Sequence, residues 1–272
     1  MKARAATPRR RTVLRQKSWR QVQALLHDRR RIVRDPVLSH HRLLLPRLPA
    51  AMEGMRIAHL SDIHYGIYLS RRALNRVIEL TLAHKPDLIA LTGDFVTQSP
   101  VFIDPVSDLL GRLHAPLGVW AVLGNHDFRA GAEAVTRGLR RNGIKVLRNQ
   151  HRGIRHRGTQ FRIAGVDDSR QHPDVAAALG RGQDPFTLLL AHNPLELEAA
   201  DACGVDLVLS GHTHGGQIKF GFAEPLYQRF LPAGFMSWGD TQMYVSRGLG
   251  KVILPMRLGA PAELAFFTLH AG

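Results

Sequence analysis

Short apolar runs, each followed by a polar cluster, recur along this chain. Arg56-Ile57-Ala58-His59-Leu60 leads into Asp62-Ile63-His64, and Leu88-Ile89-Ala90-Leu91-Thr92 into Gly93-Asp94. Val119-Trp120-Ala121-Val122-Leu123 leads into Gly124-Asn125-His126-Asp127. Phe186-Thr187-Leu188-Leu189-Leu190 precedes Ala191-His192-Asn193-Pro194, and Leu207-Val208-Leu209-Ser210 precedes Gly211-His212-Thr213-His214. Runs of this kind, bounded by Gly or Pro, read as buried strands. Helical patterning falls between them, over 71–85, 104–113, 130–141, 173–179 and 194–202. Ser70 suits the N-cap of the first helix, and Asn142-Gly143 suits the end of the third. Further strands are expected within 144–166 and at 242–246 and 263–269. The alternation predicts a layered α/β body, with one sheet or two packed sheets between helices. The polar clusters then sit at strand ends, where such proteins bind ligands and metals.

Composition adds one division. The chain has 272 residues and is 44% hydrophobic, enough for one large domain with a real core. The single cysteine, Cys203, excludes a disulfide framework and fits a reducing compartment. No run of about 18 apolar residues is present, so no membrane-spanning helix is expected. The net charge of +15 is uneven: residues 1–47 carry 14 Lys or Arg against Asp28 and Asp35, and the rest carries 23 basic against 20 acidic residues. The body is therefore nearly neutral. The expected division is a basic extension and connector over 1–54 and a catalytic domain over 55–272.

Within the extension, 1–11 reads as unstructured. Residues 12–34 read as an amphipathic helix with Trp19, Val22, Leu26 and Val33 on one face, stopped at Asp35-Pro36. Residues 36–54 read as a connector. A basic helix with a tryptophan can lie on an anionic bilayer. A disordered tail or nonspecific nucleic-acid contact are the alternatives, and the near-neutral body argues against specific nucleic-acid binding. Arg10-Arg11-Thr12-Val13-Leu14-Arg15 resembles a twin-arginine signal but lacks an apolar stretch after it. The expectation is a cytoplasmic protein, associated at most with the inner face of the membrane.

The polar clusters supply two carboxylates, one amide and several imidazoles. Asp62 and His64 are two apart, so on an extended strand end both point to one side, and His212 and His214 repeat the spacing. Asp94, Asn125 and His192 each close a separate strand. Seven donors at five strand ends suit two divalent ions sharing one carboxylate; manganese, iron or zinc match these donors better than magnesium or calcium. Two dications against two aspartates leave an excess of about +2, which draws an anionic phosphoryl group. Such a pair clamps the attacking and leaving oxygens of an in-line displacement.

The order D-x-H, G-D, G-N-H-[DE], H, G-H-x-H resembles the calcineurin-like metallophosphoesterase superfamily over residues 55–269. Leu60-Ser61-Asp62-Ile63-His64, Gly165-Val166-Asp167-Asp168, Gly211–Gln217 and Tyr244–Gly250 resemble its bacterial YkuE/YaeI subgroup. The resemblance implies a four-layer α/β/β/α sandwich and a dinuclear hydrolase of phosphoester or pyrophosphate bonds, acting through a metal-bridging hydroxide. It implies that Asp62, His64 and His214 hold one metal, that Asn125, His192 and His212 hold the other, and that Asp94 bridges them. His126 would contact the phosphate and assist the leaving oxygen, with Asp127 orienting its ring. The subgroup includes phosphodiesterases and pyrophosphatases of UDP-2,3-diacylglucosamine, which leaves two substrate classes open: a lipid-linked pyrophosphate, and soluble nucleotides or generic phosphodiesters. Arg129 and Arg247, with Lys219 and Arg229, are candidate phosphate contacts. Phe220, Phe222, Tyr227, Phe230, Phe235 and Trp238 form either a satellite core or an apolar wall for an acyl chain.

Overall fold

The computed structural model describes residues 35–66, 68–180, 185–217, 232–252 and 256–272. The expected helix at 12–34, Lys219, Arg229 and four of the six aromatics above lie outside the described residues.

The first sheet holds β1 (Val37–Leu45), β2 (Arg56–Leu60), β3 (Leu88–Thr92), β4 (Val119–Val122), β5 (Lys145–Val146) and β12 (Glu263–Ala271), in the order β1-β12-β2-β3-β4-β5. The second holds β6 (Gln150–His156), β7 (Thr159–Gly165), β8 (Thr187–Leu190), β9 (Leu207–Ser210), β10 (Gly234–Trp238) and β11 (Thr241–Val245), in the order β10-β11-β9-β8-β7-β6. β2 to β5 run parallel, as do β7, β8, β9 and β11.

Alternation along the strands builds the layers. Ile57, Leu88, Ala90, Trp120 and Val122 of one sheet meet Phe161, Ile163, Leu188, Leu190, Leu207 and Leu209 of the other in one hydrophobic core. The opposite face of the first sheet, Ala58, Leu60, Ile89, Leu91 and Ala121, is also buried. The connections between its parallel strands are α1 (Arg71–Ala83), α2 (Ile103–Leu110) and α3 (Asn125–Arg141). These helices bury Leu74, Val77, Ile78, Val106, Leu110, Val135 and Leu139. The outer face of the second sheet packs against α4 (Val175–Leu179) and α5 (Leu197–Ala202). Helix, sheet, sheet and helix thus form the expected four layers.

Residues 36–54 are not a connector. β1 pairs in parallel with β12 over its whole length, from Val37↔Glu263 to Leu45↔Ala271. Leu43 and Leu45 enter the core between the sheets. Ser39 and His41 reach polar partners on other strands: Ser39 Oγ donates to Glu263 at 2.5 Å, and His41 Nε2 lies 3.3 Å from the Tyr244 hydroxyl. Residues 37–45 thus belong to the same sheet as the strands after residue 55.

Candidate metal centre

The chain does not simply run on extended past its strands. Asp62, His64, Asp94, His212 and His214 all have positive φ, between 45° and 70°. Asp and His tolerate this left-handed region better than most residues, though each such position costs about 1–3 kcal/mol. The expected extended i, i+2 geometry is therefore wrong in detail. Asp62 and His64 still converge, but by kinking the backbone inward, and the strain is held by backbone bonds from Asp62 N to the Gly93 carbonyl (3.0 Å) and from His64 N to the Asp94 carbonyl (2.9 Å). The motif glycines make room for the carboxylates. A Cβ on Gly124 would collide with Asp94 Oδ1, and one on Gly211 with Ser61 Oγ and Asp62 Oδ2.

Two clusters result. In the first, His64 Nε2 lies 3.2 Å from His214 Nε2, which lies 3.3 Å from Asp62 Oδ1. In the second, His192 Nε2 lies 3.1 Å from His212 Nδ1 and 3.3 Å from Asn125 Oδ1. Asp94 stands between them, with Oδ2 at 3.4 Å from both His64 Nε2 and His192 Nε2. Its Oδ1 accepts the backbone N–H of His126 at 2.8 Å, at the N-terminus of α3. All seven sequence-predicted donors are thus brought together.

The electrostatics fit cations. Asp62 and Asp94 are at most 1% exposed, and their ion-pair partners are histidines. Burial alone would raise Asp94, but the surrounding imidazoles, His192 foremost, outweigh it and hold the carboxyl low. Burial pushes His64 down to about 3 and His214 to about 4, so both are neutral at pH 7 with a lone pair to offer. His192 goes the other way: despite burial, the charge on Asp94 carries it up to about 10, which marks a position that favours positive charge. Its Nδ1–H is donated to the Thr92 carbonyl at 2.7 Å, which turns Nε2 towards the cluster. Convergent buried imidazoles and carboxylates, with imidazole nitrogens aimed at one another, suit divalent cations.

His126 sits at the mouth of the site, 9% exposed, with its ring 4.9 Å from that of His64. Asp127 does not orient it. The His126 Nδ1–H bonds the Thr97 carbonyl instead. The Asp127 carboxylate accepts four backbone N–H groups: Asp94 (2.8 Å) and Gly124 (2.9 Å) on Oδ2, and Phe95 (2.9 Å) and Val96 (3.3 Å) on Oδ1. Two adjacent loops need a common acceptor there, which a pattern of letters does not reveal.

Arg247 is engaged by Glu263. Its Nη2 donates to Glu263 Oε1 at 2.8 Å and its backbone N–H to Oε2 at 3.0 Å. Arg129 is exposed, one turn beyond His126 on α3. Phe235 packs on Tyr244 and His41, with centroids 4.8 and 5.0 Å away, and Trp238 lies opposite Thr241 at the strand end remote from the metal ligands. Neither described aromatic walls the metal centre. Sequence reasoning missed Arg257, whose Nη2 lies 3.2 Å from His214 Nδ1 while its other N–H groups bond the Gly250, His214 and Ala260 carbonyls. It also gave Asp168 no role. Nothing in local spacing marks a lone arginine in a loop, but the tandem Asp167-Asp168 was a visible signal.

Residues 55–216 match the calcineurin-like phosphoesterase family model. The chain belongs to that family. It is 35% identical to the metallophosphoesterase YkuE of Bacillus subtilis over 243 residues, 86% of this chain and 85% of that protein. It is 32% identical to the phosphodiesterase YaeI of Escherichia coli over 245 residues, 85% of this chain and 87% of that one. A Campylobacter jejuni metallophosphoesterase is 31% identical over 82% of this chain, which spans only 61% of that relative. The enzyme class that goes with the family is metal-dependent phosphoester hydrolysis.

Proposed function

We propose that this chain hydrolyses phosphodiester or pyrophosphate bonds at a two-cation centre. One observation carries the reading: Asp94 Oδ2 stands 3.4 Å from a histidine of each cluster, the placement expected of a carboxylate shared between two ions. Asp62, His64 and His214 would hold one cation and Asn125, His192 and His212 the other. Manganese suits the mixed nitrogen and oxygen donors best, with iron or zinc as the other matches. When bound, the ions supply Lewis acidity and hydroxide near neutral pH.

The chain's own residues do the rest. His126 gives Nδ1–H to Thr97, so Nε2 is the ring nitrogen left to meet substrate. Protonated there, it stabilises charge on the departing oxygen or delivers a proton to it. Arg129, exposed one turn beyond His126, is the candidate to attract the phosphate.

The name of YaeI supports phosphodiesters as the substrate class. A lipid-linked pyrophosphate such as UDP-2,3-diacylglucosamine is the second reading, and a surface feature favours it. Leu44, Phe235 and Trp238 are 61%, 48% and 54% exposed along the edge formed by β1 and β10, and residues 1–47 are strongly basic. That combination suits a protein resting on an anionic membrane. Among the described residues, no helix is long and apolar enough to cross one.

The test is hydrolysis, with manganese, of bis-p-nitrophenyl phosphate, p-nitrophenyl phosphate, cyclic nucleotides and UDP-2,3-diacylglucosamine, with Asn125→Ala as control. Turnover of diesters or of the lipid that the control loses supports the proposal. Turnover of none, by a manganese-loaded protein, refutes it. Flotation of the full chain on anionic liposomes tests the membrane reading separately.

A further inference from the structure

Two aspartates stand side by side after β7, and only one is answered by a cation. Asp167 Oδ1 takes Arg148 Nε at 2.7 Å. Asp168 is the more buried of the two, 1% exposed, yet no lysine or arginine pairs with it among the described residues. Its Oδ1 accepts the backbone N–H of Arg170 at 3.2 Å, and its Oδ2 has no hydrogen-bond partner. A buried carboxylate is stable only when paired, neutralised or bound to a metal.

The unanswered carboxylate faces the second cluster. A carboxylate oxygen of Asp168 and the donor nitrogens of His192 and His212 all lie within 4.8 Å of one another. Glu196 brings no positive charge: burial, and then the charge on Asp168, raise its carboxyl. Asn193, next to His192, ties the loop down by donating to Ser169 Oγ at 2.9 Å. The backbone that carries Asp168 is therefore fastened to the backbone that carries His192.

We propose that Asp168 is a further ligand of the second cation, beside Asn125, His192, His212 and the shared Asp94. This rests on the two-cation reading above and adds a donor to it. A third carboxylate makes the second position harder and more oxygen-rich than an amide and two imidazoles alone, and it lowers the net charge offered to substrate by one.

Asp168→Asn separates this from a structural role. Asparagine keeps an acceptor for the Arg170 N–H, as good a cap as aspartate, and removes only the negative charge. Metal-free full-length proteins would be titrated with manganese by calorimetry, ions per chain counted by mass spectrometry, and spin coupling of the manganese pair followed by electron paramagnetic resonance. The wild type should bind two ions. Asp168→Asn should bind the first normally and the second about 10- to 100-fold more weakly, with loss of the coupled signal at limiting manganese. His212→Ala should also lose the second event, and Asp62→Asn should weaken the first. Two wild-type-like events in Asp168→Asn overturn this inference alone. A folded wild type that takes up fewer than two ions overturns the two-cation reading with it.

Discussion

Asp127 Oδ2 accepts the backbone N–H of Asp94 at 2.8 Å, while the same carboxylate holds Gly124, Phe95 and Val96. Burial, and the nearby charge on Asp94, push the Asp127 carboxyl up to about 8, and the N–H groups on its oxygens work against that rise. The loop after β3 and the start of α3 are thereby locked together, and they carry Asp94 and Asn125. Asp127→Asn turns an amide NH2 towards two N–H groups. The expected outcome is a stability loss of about 3 kcal/mol and a fall in metal content, read by denaturant titration and ion counting. His126→Ala should instead retain both stability and metal while kcat falls about 100-fold or more. Equal metal loss in the two variants would contradict the division of roles.

Arg247 and Glu263 form a pair with one buried member: Glu263 is 2% exposed and also accepts from Ser39 and Tyr244. Removing the arginine leaves that carboxylate without its cation. Arg247→Gln should destabilise the protein by about 3 kcal/mol, since breaking such a pair exposes the cost of the remaining charge. KM for a diester should stay within about twofold. A large rise in KM at unchanged stability would return Arg247 to the substrate.

His59 is fully buried between the sheets, with Nε2 at 2.8 Å from Thr92 Oγ1 and Nδ1 unpartnered. Burial lowers it from 6.5 to about 4. The unfolded chain therefore takes up a proton near pH 6.5 that the folded chain refuses until about pH 4. Stability from this residue is complete above pH 6.5 and declines as pH falls towards 4, by about 3 kcal/mol in all. His59→Gln should flatten the fall in unfolding free energy between pH 6.5 and 4 by about one proton. Denaturant titrations of metal-free protein at several pH values read this directly, and an unchanged slope would contradict it.

The metal donors were legible because each needs a particular letter at a particular strand end, and strands of Leu, Ile, Val and Ala announce themselves. β1 was not. Its Val-Leu-Ser-His-His-Arg stretch shows no clean alternation, only Leu43 and Leu45 enter the core, and its partner β12 lies more than 200 positions along the chain. β10 is an exposed edge strand, so burial leaves little pattern in it. Among functional groups, Asp127 and Arg257 were misread or missed because most of their partners are backbone atoms. Such partners carry no side-chain identity that a sequence can show. Asp168 was visible as a letter but not as an unpaired one, since pairing is decided by where Arg148 reaches.

The central claim is that two ions joined through Asp94 form the catalytic unit. Its most direct measurement is diester hydrolysis as a function of manganese bound per chain, in the wild type and in Asp94→Asn. Activity should rise with occupancy of the second site and stay negligible at one ion per chain, and Asp94→Asn should lose paired binding and activity together. Full activity at one ion per chain, or a folded Asp94→Asn protein that hydrolyses at the wild-type rate, would contradict the account.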